Sequence, residues 1–378
     1  MLYLDLHLGD GSLFLLIIRR FALFLEVANI SMRMKNPFSF FSQDIGIDLG
    51  TANTLVYVRG RGIILNEPSV VAINQKTKQI LSIGEDAKKM VGRTPSYIVA
   101  IRPLSDGVIS DFEVTEQMLK YFISKTTSSR WSLSARPRVV IGVPYGVTEV
   151  ERRAVEEAAK SAGAREVYLI EEPLAAAIGA RIPIHEASGN MIIDIGGGTT
   201  EVAVIALGGV VASRSLRVAG DEMNEDIVNF ARDQFNLSLG LKTAEEIKIA
   251  IGSAVELSEQ LTYPMRGRDL VTGLPKEIMI NDELVRRAIS KSVKAIIDAA
   301  KATLEEAPPE LVADIIDRGI YLSGGGALLR GLDYVVSCAT ATKVCLADDP
   351  LTCVVRGTGV VIEDIDNLRD VLLSSALS

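Results

Sequence analysis

The chain has 378 residues, 48% of them hydrophobic and 23% charged, with a formal net charge of −8. That length suits two ordinary domains and that composition a large packed core, which excludes a globally disordered chain. The acidic balance argues against a generic binder of the DNA backbone, so no nucleic-acid partner is expected.

The N-terminal stretch "SLFLLIIRRFALFLEVANI" is apolar, but Arg19, Arg20 and Glu26 interrupt it. It falls short of the roughly 18 uncharged residues of a membrane span. A secretory signal carries positive charge ahead of its apolar core, whereas Asp5 and Asp10 stand there. "MKNPFSFFSQDIGIDLG" from Met34 reads as a short basic and aromatic leader entering the first strand. Residues 1–33 are therefore expected to be a mis-assigned upstream start, the alternative being an interfacial helix.

Residues 44–49 and 54–58 read as two strands joined by a turn at Gly50–Asn53. "PRVVIGVP" is an apolar strand, followed by a helix in "TEVERRAVEEAAKSAG". Thr148 is its expected N-cap, Glu151 completes a capping box, and Gly163 stops it. Val150, Ala154, Val155, Ala158 and Ala162 form the expected buried stripe. "EVYLI" is the next strand and "EEPLAAAIGA" the next helix; Pro173 suits its first position and pushes Glu172 out of helical geometry. Residues 190–213 read as three strands. "GDEMNEDIVNFARDQF" and "TAEEIKIAIGSAVEL" are amphipathic, the second with an expected capping box of Thr243 and Glu246. A long helix runs from Asp282 to about Glu306, and "GIYLSGGGALLRGL" gives strand, Gly-rich loop and helix. Cys338, Cys345 and Cys353 are odd in number with no C-x-x-C pair, and His7 and His185 are the only histidines. A disulfide framework and a zinc site are disfavoured, a reducing compartment is expected, and any metal should be a hard one held by oxygens.

"DLGTANTLVYV" from Asp48 and "DIGGGTTEVAVI" from Asp194 share one pattern at a spacing of 194 − 48 = 146 residues. A long unit used twice predicts two related α/β domains facing each other. Gly-rich turns let backbone N–H groups converge into a nest for phosphate oxygens, so two such turns can clamp one polyphosphate. Asp48 and Asp194 would lie near those phosphates, which Mg2+ between them, through water, makes favourable. For either Asp alone, the plainer reading is a carboxylate capping its own turn; the pair favours the phosphate reading. Gly324, Gly325 and Gly326 allow close approach of a nucleotide, but no G-K-[ST] follows and the signal alone is weak. Glu172, between a strand and a helix, can orient or deprotonate a water; equally, it can complement the helix dipole.

These motifs, with "NEPSVVAI", "DGVISDFEVTEQML", "AGDEMNEDIV", "LVTGLPK" and "DPLTCVVRGTG", resemble the MreB family of bacterial actins over roughly residues 40–370. The resemblance implies the actin-like ATPase fold: two related ribonuclease-H-like domains, each with a large and a small subdomain, and ATP–Mg2+ in the cleft. The implied boundaries are 1–43 for an N-terminal extension and leader, 44–185 for the first domain with a small part near 72–104, and 186–357 for the second with a small part near 222–285. Residues 358–378 would return to the first domain. Gly50, Thr51, Ala52 and Asn53 match the first phosphate loop, and Gly196, Gly197, Gly198 and Thr199 the second. Glu245, Glu246 and Lys248 match the helix that meets the nucleoside, and Gly324, Gly325, Gly326, Ala327 and Leu328 the adenosine-side loop. Glu172, helped by Thr199, matches the residue that positions the hydrolytic water.

The implied function is a slow ATPase that assembles into antiparallel double protofilaments on the inner face of the cytoplasmic membrane. There it organises cell-wall synthesis and rod shape with membrane proteins such as MreC, MreD and RodZ. Phe38, Phe40 and Phe41 beside Lys35, and Trp131 and Leu133 among Arg130, Arg136 and Arg138, are the expected membrane anchors, against the plainer reading that Trp131 packs on the protein's own surface. Tyr145 and Asn224 depart from the family pattern. The alternatives are a sugar kinase or a chaperone-type ATPase. Only 378 − 326 = 52 residues follow Gly326, short for a chaperone's substrate segment, and Glu172 stands where a kinase needs an Asp base.

Overall fold

The structure, a computed structural model, describes residues 43–126 and 136–373. Phe38, Phe40, Phe41, Trp131, Leu133 and the whole of 1–33 lie outside the described residues.

The first half is built on a five-stranded sheet in the order Glu166–Glu171, Arg138–Val143, Ile45–Leu49, Asn53–Val58, Gly62–Pro68. The second half repeats it as Val344–Leu346, Ile320–Ser323, Asn190–Ile195, Thr200–Ala206, Gly209–Leu216. In both, the last three strands named form an antiparallel meander and the first two run parallel to its opening strand. The duplication extends to register. Asp48 pairs with Leu55 and Leu49 with Thr54; Asp194 pairs with Glu201 and Ile195 with Thr200, each the same pairing 146 residues on.

Each half carries an insertion after its third meander strand. In the first half it is the three-stranded sheet of Val71–Asn74, Ile80–Ile83 and Ile98–Ile101 with the helix Glu85–Met90. In the second it is the sheet of Leu237–Ser238, Thr262–Asp269 and Pro275–Asn281 with the helices Gly220–Phe235 and Leu241–Ile251. One apolar core lies in each half, around Met118 and Phe122 in the first and Ile227 and Ile289 in the second. A third joins the halves, with Val140 and Ile170 from the first sheet, Ile192 and Ala203 from the second, and Val354 and Val361 from the helix Cys353–Glu363. That helix crosses Glu172–Gly179 at small residues. A Cβ on Gly179 would strike the Cys353 carbonyl, and one on Gly357 the Ala175 carbonyl. The expected domain edge at 357/358 thus falls inside a helix that packs as a unit, and the edge at 185/186 falls between elements.

Most expected elements form, and three local expectations need correction. The helix Glu149–Ser161 has the capping box of Thr148 and Glu151, but Val150 is 77% exposed and Ala154 only half-buried, so the buried face is Val155, Ala158, Ala159 and Ala162. Val150 sits in the first turn of the helix. The helix Leu241–Ile251 starts two residues before Thr243 with Gly240 as N-cap and no side-chain cap, so the Thr243–Glu246 box is absent. Glu172 is the first residue of its helix and Glu171 the N-cap, because Pro173 is tolerated anywhere in a first turn that needs no N–H. The long helix runs Asp282–Glu306 as expected, capped by Asn281, whose side chain accepts from Leu284 N.

Candidate functional site

Both Gly-rich turns face one cavity of about 390 Å³ between the halves, within the usual range for small-molecule sites of roughly 300–1,000 Å³. The first turn is pinned from outside. Ser69 Oγ donates to the Gly50 carbonyl at 2.6 Å and Ser69 N to the Ala52 carbonyl at 3.0 Å. The second turn closes on itself through Gly196 N to the Thr199 carbonyl at 2.9 Å. The helix Gly220–Phe235 is hung from it, with Gly220 N and Asp221 N donating to the Gly196 and Gly197 carbonyls.

The two turns touch. A Cβ built on Gly197 would lie 2.6 Å from Ala52 Cβ, and one on Gly198 2.7 Å from Thr51 Oγ1. Glycine at 197 and 198 is therefore required by the other turn's approach, since neither residue has positive φ. Thr51 Oγ1 also accepts from Gly107 N at 3.1 Å.

Four carboxylates converge behind the turns. Asp48 is half-buried, and Glu172, Asp194 and Glu201 are buried. Burial, then the nearby Asp194, pushes Asp48 up to about 8. Burial raises Asp194 to about 6 against a hydrogen bond from Ser323 Oγ at 2.5 Å. Glu201 is raised to about 7, chiefly by burial, against hydrogen bonds from Ser215 Oγ and from the Tyr145 backbone. Glu172 is raised well above its usual range by burial and by Asp48, Glu201 and Asp194 together.

Among the described residues no group of three or more His, Cys, Asp or Glu side chains is placed to hold a metal alone. The donor set nonetheless fits a hard cation that shares its shell with phosphate oxygens and water, because such a cation relieves the crowding of Asp48 and Asp194. One consequence is testable. A carboxyl whose folded pKa is raised binds its proton more tightly when folded, so stability is lost as pH rises from about 4 toward about 8. Asp48→Asn is expected to raise the melting temperature of the ligand-free protein at pH 8 by a few degrees, on the order of 2–4 °C per kcal/mol. The same change should reduce the stabilisation that Mg2+ with a nucleotide confers. Scanning calorimetry at pH 5 and pH 8 checks both, and equal melting temperatures at pH 8 would remove the strain.

The cavity is lined by Asp48, Glu172, Asp194, Gly50–Asn53, Gly196–Thr199, Glu245, Lys248, Gly324–Gly326 and Leu328. Two expected residues are off the wall: Glu246 is exposed, and Ala327 is buried in the core of the second half. The cause for Glu246 is helical geometry, since adjacent residues diverge by about 100° and Glu245 already faces the cavity. Sequence reasoning missed Asp221, Arg330 and Leu351 on the wall, and Ser69 behind the first turn. Arg330 Nη1 donates to the Ile249 and Gly252 carbonyls, tying the Gly-rich loop to the end of the helix Leu241–Ile251. Asn224 also lines the cavity, its Nδ2 3.4 Å from Asp221 Oδ1. Tyr145 is not on the wall and stands beside Glu201.

A duplicated five-stranded core with two phosphate-type turns closing on one cleft narrows the fold to few candidates. Residues 42–370 match the family described as MreB/Mbl protein. The chain belongs to the MreB/Mbl family. MreB of Escherichia coli K12 is 52% identical over 330 residues, 86% of this chain and 95% of that protein, and is named a cell shape-determining protein. MreB5 of Spiroplasma citri, solved with AMPPNP, superposes with a TM-score of 0.82 at 41% identity, over 86% of this chain and 97% of that one. The MamK double helical filament superposes with a TM-score of 0.73 at 24% identity, over 85% and 99%, a likeness of fold alone. The MreB/Mbl chain thus has the actin-like ATPase fold, and its family is that of cell shape-determining, actin-like cytoskeletal proteins.

Proposed function

We propose that this chain is a cytoskeletal ATPase of the MreB/Mbl family: it binds ATP with Mg2+, assembles into filaments with itself, and hydrolyses ATP slowly as a switch. The observation that carries the reading is the direct contact of the two Gly-rich turns beside Glu172 and Thr199. A triphosphate between them would bond to both halves at once, and loss of its terminal phosphate would remove contacts that hold the halves at one angle. Asp48 and Asp194 would hold Mg2+ through water, which supplies charge neutralisation at the phosphates. With a cation beside Asp48 and Asp194 to offset the crowding that holds its proton, Glu172 would accept a proton from the attacking water and Thr199 would fix that water's position. The Spiroplasma citri relative was solved bound to AMPPNP, which supports a nucleotide-binding reading of this chain.

Assembly has a candidate contact. The hairpin between Thr262–Asp269 and Pro275–Asn281 exposes Leu270 at 48%, Val271 at 78% and Leu274 at 64%. Its turn is rigid: Asp269 Oδ1 accepts from Val271 N at 2.8 Å and Thr272 N at 2.9 Å, and Lys276 pairs with the same carboxylate at 2.9 Å. A fixed apolar knob suits docking into a second copy. The proposed location is the cytoplasm, on the inner face of the membrane, with Phe38, Phe40, Phe41, Trp131 and Leu133 as anchors. Filaments multiply weak lipid contacts and organise cell-wall synthesis and rod shape there.

Sedimentation with ATP–Mg2+, with and without anionic vesicles and with phosphate release followed alongside, tests this reading. ATP-dependent pelleting on vesicles with slow release is expected. Val271→Asp with Leu274→Asp should raise the concentration needed for pelleting by about 10²- to 10⁴-fold, since burying the two side chains together contributes about 3–6 kcal/mol. Pelleting indifferent to ATP would overturn the filament reading.

A further inference from the structure

We infer that Arg102 and Lys88 are positioning residues for the bound nucleotide, closing the mouth of the cleft through two ion pairs that set how fast nucleotide leaves. The inference rests on the nucleotide reading of the cavity.

Arg102 directly follows the strand Ile98–Ile101 and Lys88 lies in the helix Glu85–Met90, both in the inserted part of the first half. Their partners lie in the inserted part of the second. Arg102 Nη1 is 2.6 Å from Asp221 Oδ2, and Lys88 Nζ is 3.6 Å from Glu245 Oε2. Asp221 and Glu245 line the cavity, whereas Arg102 and Lys88 do not. Both cations therefore come from one half and both anions from the other.

The rest of the junction differs in kind. Behind the turns the halves meet through a close-packed apolar core and through Ala52 against Gly197. A third ion pair across the halves, Arg217 to Asp106 at 3.9 Å, is looser and sits beside Gly107, at the phosphate end. Close-packed contacts resist separation, and partly exposed ion pairs break readily. The floor is thus the hinge and the mouth the part that opens.

Asp221 also connects the mouth to the phosphates. Its backbone N–H donates to the Gly197 carbonyl at 2.8 Å while its side chain holds Arg102. A phosphate that fixes the Gly197 turn fixes the anion of the pair, so triphosphate and diphosphate states hold the mouth with different firmness.

The experiment loads the full chain with a fluorescent N-methylanthraniloyl ADP and chases it with excess ADP in stopped flow, at low and high salt. For the wild type, release should accelerate as salt screens the pairs. Arg102→Ala with Lys88→Ala should release nucleotide about 3- to 10-fold faster at low salt, the range two partly exposed pairs allow, and converge with wild type at high salt. Arg102→Lys, which keeps a cation, should recover most of the slow release, a result that loss of packing would not produce. The inference is overturned by wild-type release rates in the double variant at low salt. It is equally overturned by a salt-independent wild-type rate, which needs no variant to fold. A wild-type chain that binds no fluorescent ADP would sink the nucleotide reading and this inference together; binding with unaltered release sinks only this one.

Discussion

Glu172→Gln is expected to slow phosphate release from bound ATP by about 10²- to 10⁴-fold while leaving ATP affinity within a few-fold. Glutamine keeps the shape and hydrogen-bonding reach of the side chain and removes its ability to take a proton. The helix Glu172–Gly179 fixes the position of the side chain, and Gly179 locks that helix against Cys353–Glu363, so the change should stay local. The substitution also removes one of four crowded carboxylates, so the ligand-free variant should melt higher than wild type above neutral pH. Single-turnover phosphate release, with nucleotide binding measured in parallel, decides the matter. A variant that hydrolyses at the wild-type rate would take Glu172 out of the chemistry and leave it as a buried helix-terminal acid.

The second large effect belongs to the contact between the turns. Gly197→Ala places a Cβ 2.6 Å from Ala52 Cβ, closer than real carbon atoms approach. The turns must separate, and a displacement near 1 Å in a phosphate clamp costs on the order of 100-fold. Nucleotide affinity by calorimetry should fall by about that factor. The compensating change is specific: Ala52→Gly removes the opposing atom, so the double variant Gly197→Ala with Ala52→Gly should recover most of the affinity. Loss of affinity in both the single and the double variant, with folding intact, would mean that the turns do not act as a pair.

Much of the fold was legible because local chemistry writes it. The Thr148–Glu151 box and Gly163 mark helix ends through bonds made within four residues. Expectations failed where a local signal met a tertiary decision. Thr243 and Glu246 have cap-box spacing, yet their helix begins at Leu241 because its apolar face, Ala244, Ile247 and Ile251, is set by the core of the second half. Val150 fits a helical stripe and is still exposed, because a stripe does not say where the partner surface ends. Glu246 and Ala327 stood in the right motifs, but only the rotation of the packed elements shows which neighbour meets the cleft.

By itself the sequence determined the duplication. Hairpins beginning at Asp48 and Asp194 follow from alternating apolar residues and Gly-rich turns, and their identical register follows from a turn of the same length in each. It also placed Glu172 between a strand and a helix. Tertiary structure alone decided that the two turns touch, that Asp48, Glu172, Asp194 and Glu201 share one buried space, and that Arg102 and Lys88 reach anions more than a hundred residues away. The physical reason is range. Turn and cap chemistry acts between near neighbours, whereas the meeting of the halves depends on how complete cores pack, and no short stretch of chain carries that.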